Sequence, residues 1–350
     1  MTASRIPEGV FAPVATTFDE AGDLDLEAFR SNLSWYATAP LDGVVILGSN
    51  GEYALLEADE KLRLIEAGVE AIGGRKVVMA GTGVESTRGT IELTRRAAAL
   101  GIDYALIVTP HYYKSRYDRA AYLAHYRAVA DASPVPILIY IMTAYTGIDL
   151  ASAIVSELSS HPNIAGIKDS GGNAPKVGEM IAGAAPGFAV LAGSASFLYP
   201  ALCLGATGGI LALANVAPTQ CKEIERCFRA GNHQAARALQ LRMLAPNAAV
   251  TGKHGIPGLK VALESVGLKG GLPRPPMLPL GESDAEDVRR TLREAGIEED
   301  GVSLPLNQGN VAVAVDNAVD LTGKATTRFA SSRLAAVTVQ HREAKAADLE

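Results

Sequence analysis

Short apolar runs alternate along the chain with longer stretches in which apolar residues recur every three or four positions. The short runs are typical of buried strands, and the longer spacing is typical of helices packed by one face. The first pattern predicts eight strands, over 9–18, 43–48, 76–83, 104–110, 136–142, 164–170, 188–194 and 208–215. The second predicts helices between them, over 24–36, 57–72, 86–100, 119–132, 150–158 and 174–184, with a short helix after 194.

This regular alternation predicts an α/β protein built as a (β/α)8 TIM barrel. A doubly wound parallel sheet is the alternative, and it usually carries a glycine-rich dinucleotide-binding turn after its first strand. The sequence has no such turn there. The nearest match, Gly81-Thr82-Gly83, follows the third strand and has Ser86 in the place of the third glycine. We therefore interpret it as an ordinary turn.

The pattern changes after the eighth strand. Three helical stretches follow without intervening strands, over about 218–243, 258–266 and 284–295, with a proline-rich segment at 273–279. We expect a TIM barrel over 8–217 and a C-terminal helical domain over 218–297. Residues 298–350 show no clear continuation, and we expect a disordered or loosely attached tail. The alternative is an amphipathic piece that makes an oligomer contact.

Composition and charge narrow the possible partners. The 350 residues are 48% hydrophobic and 20% charged, and the net charge is −6 without a basic run. Nucleic acid is therefore not an expected partner. No apolar run reaches the length of a membrane span, and the N-terminus lacks the features of a signal peptide or presequence. The three cysteines and six histidines show no metal-ligand spacing. We expect a soluble protein of the reducing cytoplasm.

The strongest candidate for chemistry is Lys168, at the end of the predicted strand 164–170. Burial favours the neutral form of an amine, which is the form that attacks a ketone to make a Schiff base. A lysine that extends from the strand end to solvent is the alternative. Because barrel enzymes carry their catalytic groups at the C-terminal ends of the strands, the position favours a functional role. Ser170 follows two residues later on the same face.

Two other strand ends carry polar groups that suit the same chemistry. Gly48–Glu52 places Ser49 and Asn50 between glycines, where hydroxyl and amide groups could hold a carboxylate, although a plain turn is the alternative. Tyr140 lies in an apolar strand, and a core tyrosine bonded to backbone is the usual interpretation. Schiff-base chemistry needs a group that moves protons, and a tyrosine on the adjoining strand suits that role.

Together these segments resemble the dihydrodipicolinate synthase / N-acetylneuraminate lyase (DapA-like) superfamily, over about residues 8–297. The resemblance rests on Gly-Ser-Asn-Gly-Glu at 48–52, on Tyr140 and on Gly-Ile-Lys-Asp-Ser at 166–170. Within the superfamily the sequence is most similar to 4-hydroxy-2-oxoglutarate aldolase. The strings that carry this similarity are GSNGE (48–52), ESTRGT (85–90), VTPHYYKSR (108–116), HPNIAGIKDSGG (161–172), LAGSASF (191–197), ALANV (212–216) and PNAAVTGKHGIPGLK (246–260).

The resemblance implies a pyruvate-dependent class I aldolase and a role for each matching residue. Lys168 would form the Schiff base, and Tyr140 would be the general acid/base. Ser49 would relay protons to Tyr140 and, with the Asn50 backbone, bind the substrate carboxylate. Tyr112 would complete the proton relay, often from a neighbouring subunit.

The resemblance also implies two substrate contacts and an assembly. Ser170 would contact the hydroxyl or aldehyde end of the substrate, and Ile210 matches a residue near the lysine. Neither a metal nor an organic cofactor is implied. Relatives of this kind assemble as tetramers, so we expect a homotetramer.

Two departures from the family pattern bear on the substrate. Many relatives carry a proline three residues after the tyrosine, where this chain has Thr143. Dihydrodipicolinate synthases carry an arginine five residues after it, where this chain has Tyr145. The expected reaction is thus cleavage of 4-hydroxy-2-oxoglutarate, or a similar 2-oxo acid, to pyruvate and an aldehyde such as glyoxylate. A 2-keto-3-deoxy-sugar-acid aldolase or dehydratase is the first alternative, and a non-catalytic metabolite-binding barrel is the second.

Overall fold

The computed structural model describes residues 6–297, in which eight parallel strands close into a barrel in sequence order. The strands are β1 (Gly9–Pro13), β2 (Gly43–Ile46), β3 (Val77–Gly81), β4 (Tyr104–Val108), β5 (Ile137–Ile141), β6 (Ile164–Asp169), β7 (Ala189–Ala192) and β8 (Gly208–Ile210). Most of their residues are buried, as expected for strands covered on both faces. The predicted (β/α)8 TIM barrel is confirmed.

Helices follow the strands around the barrel. They are α1 (Leu26–Thr38), α2 (Ala58–Ile72), α3 (Thr87–Ala99), α4 (Arg119–Ala132), α5 (Thr143–Thr146), α6 (Ser152–Leu158), α7 (Ala174–Gly183) and α8 (Leu198–Leu204). Side chains cap several N-termini, because Asp25, Ser86, Asp118 and Asn173 each accept a backbone N–H from the first turn of the helix that follows.

The C-terminal extension contains only helices within the described residues. They are α9 (Pro218–Arg229), α10 (His233–Arg242), α11 (Leu244–Ala248), α12 (Gly255–Ser265) and α13 (Glu282–Glu294), with a π-helical turn over Ala249–Lys253. The stretch predicted as helical over about 218–243 is divided between α9 and α10. Gly231 has a φ of +74°, and the side chain of Asn232 caps a new helix by accepting the N–H of Ala235.

All eight strands are shorter than predicted, and two of them end five residues early. The strand predicted over 9–18 ends at Pro13, and the side chain of Thr16 instead donates to the carbonyl of Gly51 over 2.7 Å. The strand predicted over 208–215 ends at Ile210. A 3-10 turn follows, because the side-chain amide of Asn215 donates to the carbonyls of Pro13 and Ala212.

A bulge in β6 determines how β6 pairs with β5 near the predicted lysine, Lys168. Ile137 of β5 pairs with Ile164, but the next residue of β5 pairs with Gly166, so that Ala165 is the extra residue. The shift brings Tyr140 opposite Lys168. Without it, Tyr140 would lie opposite Ile167.

The buried apolar side chains form two cores. One fills the space between the barrel and its helices, and the other fills the barrel itself. The inner core comprises Phe11, Val45, Met79, Tyr104, Leu106, Val108, Leu138, Tyr140, Ala165, Leu191 and Ile210. The barrel is therefore packed through its centre, and space for a ligand remains only at its mouths.

Some expectations stay open. The division into a barrel over 8–217 and a helical domain over 218–297 remains a prediction, and the tail predicted over 298–350 lies outside the described residues. Within residues 6–297, none of the helices combines the length and the apolar character that a membrane crossing requires.

Candidate active site

Tyr140 and Lys168 lie side by side near the C-terminal ends of β5 and β6. Both are buried, with 3% and 2% of their surface exposed. The Nζ atom of Lys168 lies 4.1 Å from the centroid of the Tyr140 ring. An amine and a phenol thus meet at the end of the barrel where the loops after the strands could enclose a substrate.

The turn after β2 brings a third polar group to this pair. Ser49–Gly51 form a single 3-10 turn, and the Ser49 hydroxyl lies 3.1 Å from the Tyr140 hydroxyl. The first N–H groups of a helical turn have no carbonyl to bond within it, so Ser49 and Asn50 present donors there. A serine hydroxyl hydrogen-bonded to a tyrosine hydroxyl can exchange a proton with it, and the lysine amine lies over the ring of the same tyrosine.

Left-handed backbone conformations bracket this turn. Leu47 has a φ of 61° and Glu52 a φ of 55°, a region that residues other than glycine seldom adopt. Such strain persists only where surrounding contacts impose it, and it concentrates at functional sites. Glu52, to which we assigned no role from the sequence, supplies two of these contacts. Its carboxylate lies 3.1 Å from Lys260 Nζ and accepts the backbone N–H of Arg274 over 2.8 Å.

Two further predicted residues lie at the C-terminal ends of β6 and β8. Ser170 follows β6 directly, and its hydroxyl donates to the carbonyl of Gly193 over 3.5 Å. Ile210 is fully buried at the end of β8, in the same inner core as Tyr140. The structure thus brings Ser49, Tyr140 and Lys168 into one cluster, and it places Ser170 and Ile210 around them.

Tyr112 lies apart from that cluster. Its side chain is 74% exposed and contacts Tyr113 edge to face, with ring centroids 5.0 Å apart. Glu85 fixes the loop, because its carboxylate accepts the backbone N–H groups of His111 and Tyr112 over 3.0 and 2.9 Å. Within residues 6–297, no hydrogen bond joins Tyr112 to Ser49 or Tyr140. In a single chain the predicted relay therefore stops at Ser49.

Tyr53 is a site residue that sequence reasoning missed. It packs against the inner core and lines a small cavity together with Tyr140. Burial, with smaller contributions from the charges of Tyr140 and Glu85, raises the pKa of Tyr53 to about 12. A second phenol that keeps its proton therefore adjoins the catalytic candidates. The sequence feature that could have indicated Tyr53 is its position directly after the Gly48–Glu52 segment.

The loop after β5 departs from the family pattern and is ordered as α5. Its N-terminal residue, Thr143, donates through its hydroxyl to the carbonyl of Ile148 over 3.2 Å. Tyr145 is 59% exposed on this short helix. The residue at the arginine position is therefore an accessible phenol, and it offers a substrate no positive charge.

Within the described part of the chain, no group of three or more histidine, cysteine, aspartate or glutamate side chains could hold a metal ion. That the reaction needs no cofactor stays a prediction from the resemblance.

Comparisons with known proteins cover nearly all of the described residues. The profile of the dihydrodipicolinate synthetase family matches residues 6–295. The probable mitochondrial 4-hydroxy-2-oxoglutarate aldolase of Emericella nidulans is 37% identical over 292 residues, which are 82% of this chain and 94% of that protein. A 4-hydroxy-tetrahydrodipicolinate synthase of Exiguobacterium sp. is 36% identical over 272 residues, 78% of this chain and 92% of that protein.

A solved structure shows the same fold. The chloride-inhibited dihydrodipicolinate synthase from Acinetobacter baumannii, complexed with pyruvate, superposes with a TM-score of 0.78 at 31% identity. The match covers 83% of this chain and 99% of that one. Residues 6–295 therefore match the family profile, and the chain has the fold of this dihydrodipicolinate synthase.

Proposed function

Since the chain belongs to the dihydrodipicolinate synthetase family, we propose that this carbon–carbon lyase is a class I aldolase that uses Lys168 to form a Schiff base. The reaction is the reversible cleavage of 4-hydroxy-2-oxoglutarate, or a similar 2-oxo acid, to pyruvate and an aldehyde such as glyoxylate. The observation that carries the proposal is the cluster of Ser49, Tyr140 and Lys168 at the C-terminal mouth of the barrel.

The chemistry follows from an amine next to a proton carrier. Lys168 Nζ attacks the C2 keto carbon, and the carbinolamine loses water to give an iminium ion. Tyr140, with its hydrogen bond to Ser49, supplies the proton to the leaving water and accepts the proton of the C4 hydroxyl.

Breaking the C3–C4 bond then releases the aldehyde, and its electron pair moves to the iminium to give an enamine. Protonation at C3 and hydrolysis of the resulting iminium release pyruvate and the free lysine. We assign the binding of the substrate's C1 carboxylate to the turn with Ser49 and Asn50. We place Ser170 and Ile210 at the remainder of the substrate.

Two observations favour 4-hydroxy-2-oxoglutarate over a lysine-pathway substrate. The relative that is 37% identical is named as an aldolase for that acid. The exposed Tyr145 occupies the position where dihydrodipicolinate synthases carry an arginine for an acidic aldehyde. The 36% identity to a 4-hydroxy-tetrahydrodipicolinate synthase supports the shared Schiff-base chemistry and leaves this choice to the assay.

We also propose a homotetramer in the cytoplasm. The adjacent rings of Tyr112 and Tyr113, 74% and 63% exposed, support a contact with a second copy, because contiguous exposed apolar surface marks protein–protein contacts. The Emericella relative is named as mitochondrial, so cell fractionation should accompany the assays.

Trapping with borohydride tests the Schiff base directly. We expect an adduct of pyruvate mass on Lys168 after reduction in the presence of pyruvate, and no adduct in Lys168→Ala. Tyr140→Phe should keep the lysine but lower the rate of adduct formation by about 10²–10⁴-fold, because it removes the proton carrier. Mass spectrometry with peptide mapping gives both results.

The absence of an adduct in the wild type would favour the non-catalytic metabolite-binding barrel. A panel of 4-hydroxy-2-oxoglutarate, a six-carbon 2-keto-3-deoxy sugar acid and the precursors of 4-hydroxy-tetrahydrodipicolinate then decides the substrate. A higher kcat/KM for the sugar acid would replace our substrate assignment and keep the mechanism.

A further inference from the structure

We propose that the buried pair of Glu52 and Lys260 positions the turn that holds Ser49 against Tyr140. The inference rests on the proposed function and adds two positioning residues to it. Neither residue is placed to touch the substrate, so each would act through Ser49.

Glu52 is the residue that ends the turn. Its backbone N–H donates to the carbonyl of Ser49 over 3.1 Å, and its backbone has the left-handed φ of 55°. Its carboxylate is almost fully buried, 3.1 Å from Lys260 Nζ, and accepts the N–H of Arg274 over 2.8 Å. The side chain thus has fixed partners on both oxygens, and these partners hold the backbone in a conformation that it would not adopt alone.

Lys260 holds the same turn from a second direction. It lies on α12 with 2% exposure, and its Nζ donates to the carbonyls of Thr16 and Gly270 over 2.7 and 3.2 Å. The Thr16 hydroxyl in turn donates to the carbonyl of Gly51, the residue before Glu52, over 2.7 Å. The ammonium group of Lys260 therefore links α12 to the turn in two ways. It contacts the Glu52 carboxylate directly, and it contacts the Gly51 carbonyl through Thr16.

A purely structural role explains this arrangement less well. Replacing a buried ion pair by apolar side chains is often neutral for stability, because desolvation of the two charges offsets their attraction. Burial raises the pKa of Glu52 and lowers the pKa of Lys260; their mutual attraction opposes both shifts, together with Arg274 for Glu52 and Glu264 for Lys260. What the pair adds is a defined position for the Glu52 carboxylate, because Oε1 lies 3.1 Å from the Lys260 ammonium while Oε2 accepts the N–H of Arg274. That precision is needed where one hydroxyl must stay within 3.1 Å of another.

The kinetic test compares Glu52→Gln in two backgrounds. In the wild type, Glu52→Gln should lower the rate of pyruvate adduct formation by about 100-fold, the scale of a misplacement near 1 Å. In Ser49→Ala it should change the rate by less than about 2-fold, because the group that Glu52 positions is gone. Equal losses in both backgrounds, or an unchanged rate in the wild type, would overturn the proposal.

A matched control separates two effects of Glu52: positioning of the turn that carries Ser49, and anchoring of the segment that contains Arg274. Glu60 also binds that segment, through a 2.6 Å contact with Arg274 Nη1, but it does not touch the turn. Glu60→Gln should keep the wild-type rate within about 2-fold. A loss as large as that of Glu52→Gln would show that anchoring of Arg274, and not the pair, matters.

A crystal structure of Glu52→Gln decides the positioning independently of the proposed reaction. We expect Ser49 Oγ beyond about 3.5 Å from Tyr140 Oη, outside hydrogen-bonding distance. An unchanged contact would overturn the inference even in an active enzyme, and a wild type without an adduct would overturn the proposed function alone. The double variant Glu52→Gln/Lys260→Met leaves no unpaired buried charge and replaces the single variant if that one does not fold.

Discussion

At the scale of single residues, burial gives the titratable side chains of this barrel different roles. His125 on α4 is 5% exposed, and its Nδ1 lies 2.9 Å from the Thr87 hydroxyl. Its Nε2 has no hydrogen-bond partner among the described residues. Burial lowers the pKa of His125 to about 4, and the charge of Glu85 opposes the shift only in part. The histidine is therefore a neutral structural residue at pH 7, unlike the catalytic candidates at the barrel mouth.

This burial predicts a pH dependence of stability. The unfolded chain binds a proton at His125 near pH 6.5, whereas the folded chain binds it only near pH 4. The stabilisation is thus complete above pH 6.5 and is lost as the pH falls towards 4. Between pH 7 and pH 4, the wild type should lose about 3 kcal/mol of unfolding free energy that His125→Phe does not lose.

Urea unfolding at a series of pH values measures this difference. The control is His233→Phe, which removes an exposed histidine and should keep the pH dependence of the wild type. Parallel curves for the wild type and His125→Phe would contradict the prediction.

At the scale of elements, the bulge in β6 determines what lies beside Tyr140. The extra residue, Ala165, shifts the pairing by one, so that Lys168 and not Ile167 faces the phenol. Because side chains alternate between the two faces of a strand, an unshifted β6 would turn Lys168 away from the barrel mouth. Bulges of this kind are common next to active sites, where they redirect a side chain.

A glycine next to the bulge tests how closely β6 and β7 must approach. A Cβ at Gly166 would lie 2.5 Å from the carbonyl oxygen of Ala189 on β7. Gly166→Ala should therefore lower the free energy of unfolding by about 1–3 kcal/mol and slow adduct formation, because the strand that carries Lys168 must move.

Chemical denaturation and the borohydride assay measure the two effects. The matched variant is Gly178→Ala on α7, where the nearest atom would be a Leu204 methyl at 3.9 Å. It should gain up to about 1 kcal/mol from helix propensity and keep its activity. A Gly166→Ala protein as stable and active as this control would refute the tight packing of β6 on β7.

At the scale of the whole molecule, the proposed proton relay ends at Ser49 within one chain. Ser49 is half-buried against the buried Tyr140, but Tyr112 is 74% exposed and makes no hydrogen bond to either of them within residues 6–297. A second copy that covers Tyr112 and Tyr113 would bury two aromatic rings and could complete the relay in its own site.

Complementation between two inactive variants tests this arrangement. Lys168→Ala keeps Tyr112, and Tyr112→Phe keeps Lys168, so a mixed pair can assemble one complete site. Co-expressed in equal amounts, the two should give about a quarter of wild-type activity, since half of the pairs are mixed and each restores one of two sites. Activity no higher than the sum of the separate variants would place Tyr112 outside the partner's site. Sedimentation of the wild type should give about four times the 36.5 kDa chain mass.

The local pattern of the sequence determined most of the architecture. Eight apolar runs and the helical spacing between them predicted the barrel, because the periods of strands and helices are properties of neighbouring residues. Strand ends likewise predicted Ser49, Tyr140 and Lys168 as candidates, since the fold brings all of those ends to one face. The limits of β1 and β8 were wrong where the side chains of Thr16 and Asn215 redirect the backbone.

Only the tertiary structure decided which of these groups meet. The bulge at Ala165 depends on how β5 and β6 pair, and no local period records it. The contact between Glu52 and Lys260 joins the turn after β2 to α12, far along the chain, and it exists only once the barrel has closed. Sequence patterns report what a residue needs from its neighbours in the chain. Closure of the barrel and the register of its strands determine the neighbours of a residue in space. Those neighbours determine the burial and the hydrogen bonds of Lys168 and Ser49.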